Sequence, residues 1–146
     1  MSATPDPGQP SPADGGDVLT EHDWTAGVDV ESPGSMRAAI SNAMVGLKKR
    51  YYGKGPEKAR TYFNDNYVFC ALESVLTRNE ITLVQAGREE AVREYRAIFE
   101  LAMSKTTTQA VEQITGRAVV AYQSQIVFRP DHAFEIFVLD AAPFDA

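Results

Sequence analysis

Two segments of this chain each hold a pair of β-rich runs broken by a short turn, and helical periods fill the space before and between them. No other feature narrows the accessible folds so far. In KARTYFNDNYVFCALES the runs flank Asn64-Asp65-Asn66, residues that tolerate the positive φ of a tight hairpin turn. Strands are expected near 58–63 and 67–73. RAVVAYQSQIVF, RPDH and AFEIFVLD repeat the plan near the C-terminus, with Pro130 suited to position i+1 of a type I turn.

The helical segments are marked by period and by caps. In SMRAAISNAMVGLKKRYYG, residues Met36, Ile40, Ala43, Met44, Leu47 and Tyr51 fall on one helix face, with Ser35 as the expected N-cap. Lys48, Lys49 and Arg50 occupy the last turn, where cations favour the helix dipole, and Gly53 is placed for a left-handed C-cap. LTRNEI predicts a capping box from Thr77 and Glu80, with Leu76 and Ile81 as a hydrophobic staple, on a short helix ending near Gly87. From Arg88, the series Val92, Tyr95, Phe99, Ala102, Thr106, Ala110 and Ile114 predicts one long helix to about Thr115, closed by Gly116. The β-branched triplet Thr106–Thr108 is expected to weaken or kink it.

The order helix, hairpin, two helices, hairpin implies an α+β fold: a four-stranded antiparallel sheet with helices mainly on one face. Phe134, Ile136 and Val138 alternate with Phe137 and Leu139, so both faces of the last strand are apolar and both need cover. A homodimer is the expected source of that cover.

Charge is distributed unevenly. Residues 1–35 carry seven acids and neither Lys nor Arg, which leaves 13 acids against 14 bases in the remainder. Residues 1–34 also hold five of the eight prolines, and are expected to form a disordered acidic tail. Trp24 in that tail is read as an exposed linker residue, with a partner-docking motif as the other option. The folded domain is expected over 35–140, with a frayed end over 141–146. A near-neutral body gives no general case for nucleic acid. The opening MSATPDPGQP has neither a basic start nor an apolar core, so no secretory signal is expected. No apolar run reaches the ~18–20 residues that a membrane span needs. Together with a single cysteine, Cys70, this points to a cytoplasmic protein.

Chemistry is sparse. Cys70 lies mid-strand and reads as a small buried hydrophobe. Asp131 and His132 read as a solvated turn, and no metal motif is present. Glu89, Glu90, Glu94 and Glu100, mixed with Arg88, Arg93 and Arg96, read as a solvated helix face with Glu89–Arg93 as an i,i+4 pair. Neither an enzyme nor a cofactor is expected. The one candidate site is the basic turn YYGKGPEKAR. Six of the fourteen bases lie in residues 48–60. Gly53 and Gly55 allow backbone N–H groups to converge into an anion-holding nest followed by Pro56, with Lys54, Lys58 and Arg60 supplying charge. The same bases with Tyr51, Tyr52 and Tyr62 offer a second option, a nucleic-acid-binding module.

The joint pattern of the Gly53–Pro56 turn, the Leu76, Thr77, Glu80 helix start, the Gly87 break and Glu112, Thr115, Gly116 resembles the MpsC-like family, carried as a domain of unknown function. The likeness covers residues 36–139. Asn64-Asp65-Asn66 departs from the acidic pair expected in that turn. The resemblance implies a soluble, non-enzymatic accessory or regulatory protein of a sodium-linked, membrane-potential-generating system associated with inorganic-carbon (bicarbonate) uptake. It would sit at the inner face of the membrane, its basic turn contacting a transporter subunit or a small anion.

Overall fold

The computed structural model describes residues 23–25 and 32–144. The expected tail over 1–34 lies, for 1–22 and 26–31, outside the described residues, as do 145–146 of the expected frayed end. The elements run α1 (Pro33–Tyr52), β1 (Lys58–Asn64), β2 (Tyr67–Glu73), α2 (Arg78–Gln85), α3 (Glu89–Thr115), β3 (Val119–Val127) and β4 (His132–Leu139). Three helices and an antiparallel sheet of order β1-β2-β4-β3 make the α+β fold that the two hairpins required.

Local signals account for most boundaries. Asn64 pairs with Tyr67 across the first turn, and Asp65 takes φ 53°, the left-handed conformation that Asp tolerates. Gly53 and Gly116 end α1 and α3 at φ 80° and 71°. The Thr77–Glu80 capping box is complete. α1 starts earlier than expected: Ser32 is its N-cap, accepting from Ser35 N–H at 3.1 Å, and Pro33 fills the first turn, where its missing N–H costs nothing. α3 runs unbroken through Thr106–Thr108, because Thr108 returns its hydroxyl to the Ser104 carbonyl at 2.9 Å while Thr106 and Thr107 are buried. The Arg129–Pro130 peptide bond is cis, where a type I turn with Pro130 at i+1 was expected.

Val68, Cys70, Leu72, Ala133, Phe137 and Leu139 alternate along β2 and β4 and form one core with Met36, Ile40, Met44 and Leu47 of α1 and Val111 and Ile114 of α3. The expected staple does not form. Leu76 packs with Val92 and Phe128, and Ile81 stays exposed. Two terminal segments belong to the body after all. Phe144 meets Phe63 edge-on at 5.8 Å, so the end is not frayed there. Trp24 packs on the core, with its ring over Gly46, and its backbone N–H donates to Gln113 Oε1 at 3.1 Å. The expected exposed linker residue is a docked one.

Candidate functional site

The structure divides the basic turn among different tasks. The Gly53 N–H donates to the Lys49 carbonyl at 2.9 Å, so that amide serves the helix cap. Gly55 lies so close to α1 that an added Cβ would stand 3.2 Å from the Val45 carbonyl oxygen, and Pro56 is buried. The Lys54 ammonium donates to the carbonyls of Ser74 and Leu76, each at 3.0 Å, and ties β2's exit to the turn. Lys58 and Arg60 project as exposed charges from β1, while the exposed Lys49 and Arg50 belong to the end of α1. The six residues Gly53, Lys54, Gly55, Pro56, Lys58 and Arg60 are therefore not gathered around one point.

What Lys58 and Arg60 flank is the second face of the sheet. Residues directly opposite in the ladders share a face. Arg60–Ala71, Tyr62–Phe69, Ala71–Phe134 and Phe69–Ile136 thus place an aromatic patch on the side away from the core. Phe69 and Phe134 stack at 5.5 Å and Phe69 meets Tyr62 at 6.3 Å. Tyr62 is 50% exposed, Tyr67 53% and Ile136 37%, so the patch is half covered at best. Glu73 faces His132 at 3.3 Å on the same side.

The other concentration of chemistry is internal. Lys48 of α1 is buried, although its place in the last turn suggested a solvated cation. Its ammonium contacts Glu100 Oε1 of α3 and lies 2.6 Å from Glu135 Oε1 of β4. The Tyr52 hydroxyl donates to Glu100 Oε1 at 2.9 Å. Tyr122 donates to Glu135 Oε2 at 2.6 Å and lies 3.4 Å from Glu100 Oε2. Ser124 donates to Glu135 Oε1 at 3.0 Å. Next to this set, Arg96 forms two 2.6 Å bonds to Glu80, a third at 3.0 Å to the Val75 carbonyl, and stacks on the Tyr52 ring at 3.8 Å. The capping box of α2 is thereby wired into the buried network, because the carboxylate that accepts from Thr77 N–H also holds Arg96.

Burial acts on Lys48, Glu135, the two tyrosines and Glu80. It pulls the Lys48 ammonium down, yet Glu135 and Glu100 together outweigh it and hold the group above its ordinary value. Burial pushes Glu135 up, with Lys48 opposing. Burial, then the neighbouring carboxylates, push the Tyr52 and Tyr122 phenols up, so both stay neutral donors. For Glu80, burial is outweighed by the hydrogen bonds from Arg96 and the Thr77 backbone, which keep it below the usual carboxylate range.

A cleft of about 520 Å³ opens beside the network, between α3 and β3. Glu100, Tyr122 and Ser124 line it together with the apolar Ala97, Leu101 and Ile126. Among the described residues, no three His, Cys, Asp or Glu side chains come together to hold a metal ion. Cys70 is fully buried, and burial pushes its thiol up to about 12, which leaves it a packing residue.

Periodicity failed at this network for an identifiable reason. The apolar stripe Tyr95, Phe99, Ala102 was expected to face the core. Tyr95 and Ala102 are exposed, and α3 turns Val92, Arg96, Glu100 and Met103 inward instead. Arg96 and Glu100 are thus not part of a solvated face. The Arg93 partner is Glu90 at 3.1 Å, and Glu89 reaches Arg129 at 2.6 Å, in place of the expected Glu89–Arg93 pair. Tyr51 and Tyr52 are half-buried and pack against Phe99. Asp131 is a structural acceptor for the N–H groups of Val75 and Leu76 at 2.9 and 3.2 Å, where a solvated turn was expected. A charged residue on the polar side of one helix carries no local mark that two other elements will bury it. Glu135, central in a strand of apolar neighbours, was the one available signal.

Comparison with known proteins adds a family. A family model described as "Na+-translocating membrane potential-generating system (MpsC)" matches residues 32–141. The chain is also similar to "Uncharacterized protein YrhF" of Bacillus subtilis (strain 168), with 30% identity over 96 residues, 64% of this chain and 79% of that protein. No solved structure matches.

Proposed function

This chain belongs to the MpsC family, and from that premise we propose that it is a non-enzymatic accessory subunit of a sodium-linked, membrane-potential-generating system, docked through the open face of its sheet. A link to inorganic-carbon uptake is part of the proposal. The observation that carries it is the half-exposed aromatic patch of Tyr62, Tyr67, Phe69, Phe134 and Ile136 beside Lys58 and Arg60. Patches of this kind, apolar at the centre and charged at the rim, are characteristic of protein contacts. Among the described residues, no helix is long and apolar enough to cross a membrane, so contact with the membrane system would pass through such a surface.

Charge selects the occupant. The open face carries Lys58 and Arg60 against the single carboxylate Glu73. Two copies stacked face to face would bring like charge together, whereas an acidic, apolar segment of a membrane partner would meet both features. The test is co-purification of the membrane partner from native membranes with the wild-type chain and with Lys58→Glu/Arg60→Glu and Tyr62→Glu, alongside gel filtration of the isolated protein. Retention of the fold with loss of one shared membrane protein supports the proposal. A stable dimer that Tyr62→Glu dissociates would reassign the face to a second copy of the chain. Unchanged co-purification would remove the face from the docking surface.

A further inference from the structure

Nothing in the docking proposal uses the cleft between α3 and β3. Of its charged lining residues, Arg93 and Arg96 are already held by Glu90 and Glu80, and Glu100 is the one carboxylate. The bonding of Glu100 is incomplete. Lys48 and Tyr52 both engage Oε1. Oε2 receives only Tyr122 at 3.4 Å, because that hydroxyl gives its short 2.6 Å bond to Glu135. Oε2 thus belongs to a carboxylate whose side chain is 10% exposed, on a residue lining the cleft, and its one bond is long. Such an oxygen normally finds further donors. The charge balance points the same way. Arg96 is balanced by Glu80, while Lys48 is shared between two carboxylates. One negative charge is left without a counter-charge in a largely buried network.

We propose that this cleft binds a small organic molecule through a protonated amine, with the ammonium on Glu100 Oε2 and an apolar stem between the walls. The walls decide between an organic and an inorganic cation. A hard metal ion needs about six oxygen ligands, whereas this lining holds a single carboxylate, Glu100, beside the cations Arg93 and Arg96, and Ala97, Leu101 and Ile126 supply an apolar wall. A volume of about 520 Å³ lies in the range of small-molecule sites, ~300–1,000 Å³. Tyr122, whose phenol burial keeps neutral, also lines the cleft and holds its hydroxyl 3.4 Å from Glu100 Oε2. The occupant is recognised by one positive charge and a short apolar body. An anion would meet Glu100.

The test is titration of the full chain, isotope-labelled for amide NMR, with n-pentylamine and separately with pentan-1-ol and sodium chloride at matched ionic strength. The amine is expected to saturate at about millimolar concentration, as suits so small a ligand. The shifts should centre on Glu100, Tyr122, Ser124 and Ala97, with the alcohol at least tenfold weaker. Glu100→Gln should abolish the preference for the amine. Because that change touches the buried network, Ala97→Trp serves as a second variant: position 97 is exposed on α3, and the indole would fill the cleft. It should keep the fold and lose the amine. No saturable shift, equal affinity for amine and alcohol, identical shifts with sodium alone, or binding that survives Ala97→Trp would each overturn the proposal.

Discussion

Replacing Lys48 by methionine tests the buried network most directly. The side chain of Lys48 is 3% exposed, that of Glu135 0% and that of Glu100 10%, so water screens little of the interaction. The substitution keeps the apolar stem and removes the one cation that both carboxylates share. Breaking a buried pair by deleting one partner costs about 3–5 kcal/mol, because the surviving charge stays buried and uncompensated. Here two carboxylates lose their partner, which places the cost at the upper end. Against a total stability of about 5–15 kcal/mol, the midpoint temperature should fall by on the order of 20 °C. Glu135→Gln should cost far less, under about 2 kcal/mol. It lowers the excess negative charge. An amide oxygen in place of Oε1 still accepts from Ser124 and Lys48, and the amide NH2 in place of Oε2 meets the Tyr122 hydroxyl, which can turn to accept.

The dependence on pH supplies a second readout. Lys48 is held above its ordinary value in the folded state, so its contribution is complete below pH 10.5 and is lost as pH rises through the raised value. The methionine variant should lack that alkaline limb. Glu135 is shifted upward, so its contribution is complete below the ordinary carboxylate range and is lost as pH rises through its folded value. Protonation of the stranded Glu135 should narrow the gap between variant and wild type as pH falls toward that range. Urea unfolding followed by far-ultraviolet circular dichroism, at pH about 5 and about 8, measures the narrowing, and the same measurement carried above pH 10.5 reads the alkaline limb. A methionine variant within about 1 kcal/mol of wild type at both pH values would refute the reasoning, as would a Glu135→Gln cost equal to or larger than that of Lys48→Met.

Two further outcomes follow from the core. Trp24 is the only tryptophan, and an added Cβ at Gly46 would stand 3.4 Å from its ring, so Gly46→Leu should displace the indole. Tryptophan emission would shift to the red while the helical circular dichroism signal is kept; an unchanged emission maximum would place the ring elsewhere. Cys70 is fully buried with its thiol pushed up to about 12, so a thiol reagent at mildly alkaline pH should label it only after unfolding. Rapid labelling of the native protein would contradict that burial.

The order of elements was legible in the sequence because each boundary rests on local chemistry. Gly53 and Gly116 stop their helices through φ values that other residues avoid. Thr77 and Glu80 satisfy each other's backbone groups within one turn, and Asp65 takes the hairpin's left-handed position. The two apolar faces of β4 were likewise written in its alternation, and the open aromatic patch is their consequence.

What only the tertiary structure decided is where charge goes. The basic turn looked like a site because its glycines and lysines are adjacent in sequence. Folding spends Gly53 on a cap and Lys54 on two carbonyls, and leaves Lys58 and Arg60 on the open sheet face. Conversely, Lys48, Arg96, Glu100 and Glu135 sit on three elements and are separated by up to 87 residues along the chain. Lys48, Arg96 and Glu100 each have the local pattern of a solvated side chain. Desolvation is a property of what packs on top of a residue, and ion pairing depends on distances that helix and strand periods do not encode. The sequence by itself therefore determined the elements and their caps, and the packing of α1 and α3 onto the core residues of β2 and β4 determined which of its charges became an interior network.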